Sequence, residues 1–185
     1  MSKSFFTIRK NVVEKFLTNK IPSNPFIQTQ RLTLTEIKEQ DEQVYYKLYT
    51  DKELNTLWGY DFTADLGSNP TPQDFFRLQN NLKQLEGEYA FAVRENGQMI
   101  GELVLYNPTT SSVEIGFRFF KNSQGKGYAT ESATALMEYA KQLLKVKVFR
   151  GRCFKQNAPS KALFLRLGFT QISENQTHYF FEKKV

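Results

Sequence analysis

The sequence predicts a mixed α/β domain, and three observations carry that prediction. Residues 31–37 alternate polar and apolar like a half-buried strand and lead into a helix-like stretch over 39–57, with Val44, Leu48 and Tyr49 on one side. Strand-like residues 88–94 and 98–106 flank Asn96-Gly97, a pair that tolerates positive φ and favours a tight hairpin. With a third strand over 113–119, beyond the turn at 107–112, they form an antiparallel meander. A glycine-bearing loop, 121–127, then joins that strand to a helix over 128–144, where Ala129, Ala133, Leu136, Met137, Ala140 and Leu144 recur at helical spacing.

The remaining elements follow from local signals. Residues 59–72 are rich in helix and strand breakers, and Thr71-Pro72 introduces a helix over 73–85, since proline is suited to a helix's first position. Residues 146–153 read as a buried strand, 157–167 as a short helix stopped by Gly168, and 169–173 with 177–182 as a final strand pair. The order is β-α-α-β-β-β-α-β-α-β-β, with no internal repeat. Ahead of this domain, assigned to 26–185, residues 1–25 form an arm. Phe5, Ile8, Val12 and Phe16, beside Val13 and Leu17, make an amphipathic helical stripe that Pro22 and Pro25 end. Such an arm is expected to dock on the domain or on a second subunit.

Composition narrows the function classes. The 185 residues are 40% hydrophobic and 15% aromatic, enough to build a core rather than a disordered chain. The net charge of +6 raises the question of nucleic acid, yet residues 1–20 hold five basic residues against Glu14 alone. The rest of the chain, with 20 basic and 18 acidic residues of mixed order, defines no polyanion face, which disfavours a nucleic-acid partner. No apolar run is long enough to span a bilayer and no export signal precedes the domain, so the expectation is a cytoplasmic protein with no membrane partner. One cysteine, Cys153, and one histidine, His178, cannot close a disulfide or supply a tetrahedral zinc site, so no metal is expected.

The segment that carries chemistry is Gln124-Gly-Lys-Gly-Tyr-Ala129, between a strand and a helix. Glycines there let backbone N–H groups approach a ligand, and the following helix adds the positive end of its dipole, so the loop suits a phosphate; a plain helix-start loop is the alternative. A Walker A loop would need Ser or Thr after Lys126, where Gly127 stands. A dinucleotide fingerprint would need Gly or Ala at Thr130 and a parallel βαβ setting.

Gln124 to Ala129 resembles the pyrophosphate loop, Gln/Arg-x-x-Gly-x-Gly/Ala, of the GNAT acetyltransferases, and Asn157-Ala-Pro-Ser-Lys-Ala-Leu-Phe-Leu-Arg-Leu-Gly-Phe169 resembles that family's downstream segment. Thr29-Gln-Arg-Leu-Thr-Leu34, Val113-Glu-Ile-Gly-Phe117 and Gly127-Tyr-Ala-Thr-Glu131 are similar to the RimJ/RimL-like branch of ribosomal-protein N-terminal acetyltransferases. The resemblance covers residues 29–173. It implies a GNAT-like, largely antiparallel central sheet flanked by helices and an acetyl-CoA-dependent N-acetyltransferase. The acceptor is a primary amine, on a protein N-terminus or a small molecule, which attacks the thioester directly. It further implies pyrophosphate against the backbone of Gln124, Gly125, Lys126, Gly127, Tyr128 and Ala129. Pantetheine would run along Phe117, Arg118 and Phe119 through main-chain bonds, with Asn157 on the same arm. Lys126 and Lys161 are placed to meet CoA phosphates or simply to face solvent. Family members are often dimers, so a homodimer is also an expectation.

For the chemistry, strand alternation separates Glu114 from Val113, Ile115 and Phe117. That makes it the first candidate for the base; binding an ammonium substrate or pairing with Arg118 are equal alternatives, and Glu102 is a weaker base candidate. Many family members carry a Tyr four residues before the Gly-Phe pair, but Phe164 stands there. RimL-like members assign the acid role to the Ser that maps onto Ser160, whose alternative is a helix-start cap. Cys153 reads as structural, Glu131 as a first-turn acid serving the helix, and His178 as surface or packing. Trp58-Gly-Tyr-Asp61 lines either the acceptor pocket or the core. A catalytically silent acyl-CoA-binding or regulatory domain is the alternative function.

Overall fold

The computed structural model describes residues 21–59 and 62–185. The arm helix expected within residues 1–20, and Tyr60 and Asp61 of the acceptor-pocket segment, lie outside the described residues.

The chain opens with β1 (Phe26–Gln28) and β2 (Leu32–Glu36), followed by α1 (Glu42–Thr50), α2 (Lys52–Trp58), α3 (Thr63–Leu66) and α4 (Pro72–Glu86). The meander is β3 (Tyr89–Glu95), β4 (Gln98–Tyr106) and β5 (Ser112–Phe119); then come α5 (Tyr128–Leu144), β6 (Val148–Phe154), α6 (Ala158–Arg166), β7 (Thr170–Glu174) and β8 (His178–Lys184). The strands form one sheet in the order β1-β2-β3-β4-β5-β6-β8-β7. All neighbours are antiparallel except β5 and β6. The expected mixed fold with a largely antiparallel sheet is present.

Two departures from the sequence reading have local causes. The helix expected over 39–57 is broken at Asp51, whose backbone is extended and whose carboxylate caps the new helix by accepting from Leu54 N at 3.0 Å. Asn55 spans that break: its Nδ2 donates to the carbonyls of Tyr49, at the end of α1, and of Asp51, at the start of α2, both at 2.7 Å. The second departure is β1, too short at three residues to show a period, which is held by its register with β2. Elsewhere Asn96 and Gly97 take positive φ as the hairpin requires. Thr71 and Asp74 form a reciprocal capping box that starts α4 at Pro72.

Strand alternation sends side chains to two cores. Leu34, Phe91, Leu103 and Ile115 face α5 and α6, while Ala92, Val104, Leu48 and Phe75 pack on the side of α1 and α4. Of the stripe expected on α5, Ala133, Leu136, Met137, Ala140 and Leu144 are buried and Ala129 is partly so.

The parallel join is the structural irregularity that matters. β5 and β6 pair over only three residues, ending at Glu114↔Arg150. Beyond that point β5 continues with β4 as far as Phe119, and β6 continues with β8, so the two strands part in a V. Aromatic residues bridge the V on both faces. On one, Phe164 packs on Phe117, with ring centroids 5.0 Å apart, and against Gly151 of β6. On the other, Trp58 lies over Gly116 of β5 while Gly59 abuts Phe154 of β6. A Cβ on Gly151 would overlap the Phe164 ring. Gly151→Ala is therefore expected to lower stability by about 1–3 kcal/mol through overpacking, read from a denaturant titration.

Candidate active site

The V points from Glu114 at its vertex toward the 120–127 loop at its mouth. After a 3-10 turn over Lys121–Ser123, the Gln124 side chain donates to the Phe119 carbonyl at 2.9 Å, tying the loop to the end of β5. Gly125 and Gly127 both take φ in the left-handed region, +74° and +80°. At Gly125 a Cβ would meet nothing within 4 Å, so the loop has an open side. Gly127 is the residue before α5 and has no side chain to cap it. The first N–H groups of this 17-residue helix are thus left for a ligand or water, and they carry the positive end of its dipole. An uncapped N-terminus behind two glycines with open space beside them fits a pyrophosphate.

Tyr128 and Lys126, on either side of Gly127, behave differently. Tyr128 is buried, and its hydroxyl bonds the Glu95 carboxylate, which raises its own pKa. Lys126 is exposed, with its ammonium 5.8 Å from the Tyr128 ring centroid. Glu131 serves structure, in line with its reading from sequence: it accepts from Thr29 Oγ1 at 2.6 Å and from the Arg31 main chain at 2.8 Å. Burial pushes the Glu131 carboxyl up, but the bonds from Thr29 and Arg31 outweigh it and hold the group below the usual glutamate range.

At the vertex, Glu114 shares its face with Gly116 and Arg118, the face of α1 and α2. Its carboxylate accepts from Asn107 Nδ2 at 3.0 Å. Burial first, and then the Glu114 carboxylate, push the neighbouring Tyr106 phenol upward. The pairing with Arg118 entertained for Glu114 does not occur. Arg118 stands directly opposite Glu102 across β4 and β5 and bonds it through Nε and Nη2, gives Nη1 to Asn55 Oδ1 at 2.5 Å, and stacks 3.9 Å from the Tyr49 centroid. Both side chains are buried. This replaces the Glu114–Arg118 pairing, and it makes Glu102 an ion-paired core carboxylate rather than a free base; the main-chain role expected of Arg118 does not involve its side chain.

On the β6 side, Asn157 caps α6, accepting from Ser160 N at 3.1 Å, and its Nδ2 reaches the Leu57 carbonyl at 3.5 Å. Its side chain thus links α6 to α2. Burial pushes the Cys153 thiol up, partly offset by its neighbours Ser160 and Lys161, so it is protonated at neutral pH. The Lys161 ammonium rests 3.9 Å from the Tyr179 ring centroid. Phe164 is buried between Phe117 and Phe181. His178 packs on Phe154 at 4.1 Å, and desolvation, then the Arg152 charge, lower its pKa.

Sequence reading missed Arg31, Asn55 and the Glu102–Arg118 partnership. Arg31 stood inside a quoted motif without a role, and the other two depend on register between distant segments. Among the described residues, no group of three His, Cys, Asp or Glu side chains could hold a metal ion, and no helix is long and apolar enough to cross a membrane.

A mixed sheet that splits beside an uncapped, glycine-entered helix offers an anion cradle with a free strand edge leading away from it. The Acetyltransferase (GNAT) domain family matches residues 31–170, and the chain belongs to it. The uncharacterized N-acetyltransferase p20 of Bacillus licheniformis is 26% identical over 148 residues, spanning 77% of this chain and 81% of that protein. Spermidine N-acetyltransferase from Vibrio cholerae, solved with CoA and spermine, superposes with a TM-score of 0.72 at 17% identity, covering 83% of this chain and 95% of its own. The ribosomal L7/L12 α-N-protein acetyltransferase RimL superposes with a TM-score of 0.72 at 16% identity, covering 88% and 95%. The chain is an acetyltransferase whose co-substrate is acetyl-CoA.

Proposed function

We propose that the chain transfers the acetyl group of acetyl-CoA to a primary amine, on a protein N-terminus or a small molecule, as a RimJ/RimL-like enzyme of the cytoplasm. The observation that carries this reading is the position of Glu114 at the last residue of β5 that pairs with β6, with the V beyond it and the glycine loop at its mouth. Bound acetyl-CoA supplies an activated thioester carbonyl and leaves as CoA. Backbone N–H groups of 124–129 hold its pyrophosphate, and the edge of β5 at 117–119 holds the arm that leads to the thioester.

Glu114 takes the proton that an ammonium acceptor must lose before its nitrogen can attack. A carboxylate also draws an ammonium to the vertex, which suits small amines and protein N-termini alike. Ser160 is the nearest match to a proton donor for the departing thiolate, in place of the phenol that Phe164 lacks. Support for the RimJ/RimL-like branch comes from the motifs at 29–34, 113–117 and 127–131, and from the likeness to RimL in fold.

The test is turnover of acetyl-CoA across a panel of N-terminal peptides and small amines, comparing wild type with Glu114→Gln. One acceptor class should turn over, with kcat/KM reduced about 100-fold in the variant. Acetyl-CoA binding without turnover of any amine would sink the proposal. Equal kcat/KM in the two proteins would remove Glu114 from it.

A further inference from the structure

The motifs at 29–34 and 127–131 are a hundred residues apart in the chain, yet they meet behind the glycine loop. Arg31 Nε and Nη2 each lie 2.7 Å from Glu131 Oε2, and Nη1 donates to the Lys126 carbonyl at 3.0 Å. The guanidinium also lies 4.7 Å from the Tyr128 ring centroid. Glu131 Oε1 completes the node by accepting from Thr29 Oγ1 and Arg31 N. One side chain therefore grips the loop at three points, Lys126, Tyr128 and Glu131, that bracket Gly127.

We propose that Arg31 is a positioning residue that sets the anion-accepting shape of the 124–129 loop from behind, an inference that rests on the acetyl-CoA reading of that loop. The reason lies in one peptide. The Lys126–Gly127 unit is planar and trans, so its C=O and N–H point in opposite directions. Holding the Lys126 carbonyl on Arg31 turns the Gly127 N–H away from Arg31 and fixes the left-handed φ of +80° at Gly127. Without that hold, the two glycines leave the loop free to turn the peptide over, presenting a carbonyl oxygen where the anion needs a donor. A Cβ on Gly127 would lie 3.4 Å from Arg31 Nη2, so the guanidinium lies directly against the loop backbone. Its charge is already matched by Glu131, so what it contributes is shape.

The experiment measures acetyl-CoA binding by calorimetry for wild type, Arg31→Lys, Glu131→Gln and the double variant. Turnover of S-acetylpantetheine, which carries the thioester but no pyrophosphate, is measured alongside. Lys cannot span the carboxylate and the carbonyl together. Each single variant is therefore expected to weaken acetyl-CoA binding on the order of tenfold, and the double variant no more than the worse single, because both remove one node. Activity with S-acetylpantetheine should stay within about twofold, since the brace acts only through the pyrophosphate. If Arg31→Lys weakens binding while Glu131→Gln leaves it unchanged or tightens it, Arg31 meets the phosphates directly and is no brace. If S-acetylpantetheine activity falls in step with acetyl-CoA binding, the residues support the fold generally. A wild type that binds no acetyl-CoA overturns the reading of the loop itself, and is told apart because every other outcome has a binding wild type.

Discussion

Gly127→Glu is expected to fold normally and to show no saturable binding of acetyl-CoA by calorimetry. The fold should survive for three reasons. A side chain at φ +80° costs on the order of 1 kcal/mol. Among the described residues, the only atom within 4 Å of its Cβ beyond its chain neighbours is the flexible end of Arg31, at 3.4 Å. A carboxylate before α5 also complements the helix dipole. The added negative charge is what abolishes binding: the side chain starts beside the Arg31 guanidinium, so its carboxylate both draws Arg31 from Glu131 and repels a pyrophosphate at the uncapped N–H groups. Circular dichroism of the variant checks that the helix persists. Wild-type affinity in a folded Gly127→Glu protein would move the cradle away from the 124–129 loop.

Which features were legible in the sequence follows from how far each signal reaches along the chain. The meander, the bounds of α5 and the glycine loop rest on periodicity or on residues a few positions apart, and they stand where expected. The break at Asp51 carried a local signal, an N-cap aspartate, but helical spacing on both sides masked it. The site divides in the same way. The loop at Gln124 to Ala129 and the place of Glu114 on its strand were legible because loop composition and strand alternation are local. The split between β5 and β6 was not, because it depends on which strands β5 and β6 retain on their far sides. Arg118 shows the limit most plainly: beside Glu114 in the sequence it read as a possible partner, whereas its partner is set by cross-strand register with Glu102, 16 residues away.

That register has an energetic consequence. Arg118→Met is expected to destabilise the fold by about 3–5 kcal/mol in a denaturant titration, because it leaves the Glu102 carboxylate buried without its counter-charge. Glu102 is fully buried, and among the described residues its Oε2 has no hydrogen-bond partner even with Arg118 in place. The Asn55 Oδ1 atom loses its partner as well, at the elbow between α1 and α2. Replacing both members of the pair, Glu102→Leu with Arg118→Met, should recover most of the loss, since an apolar pair of similar volume removes the desolvated charge altogether. A single variant that loses less than about 1 kcal/mol would mean that the carboxylate is neutral or hydrated in place. The effect should extend to catalysis in both variants, because Trp58, which lies over the strand edge at Gly116, stacks 4.7 Å from the Arg118 guanidinium. The double variant is therefore expected to regain stability without regaining full turnover, separating the charge balance of the core from the support that Arg118 gives to the wall of the V.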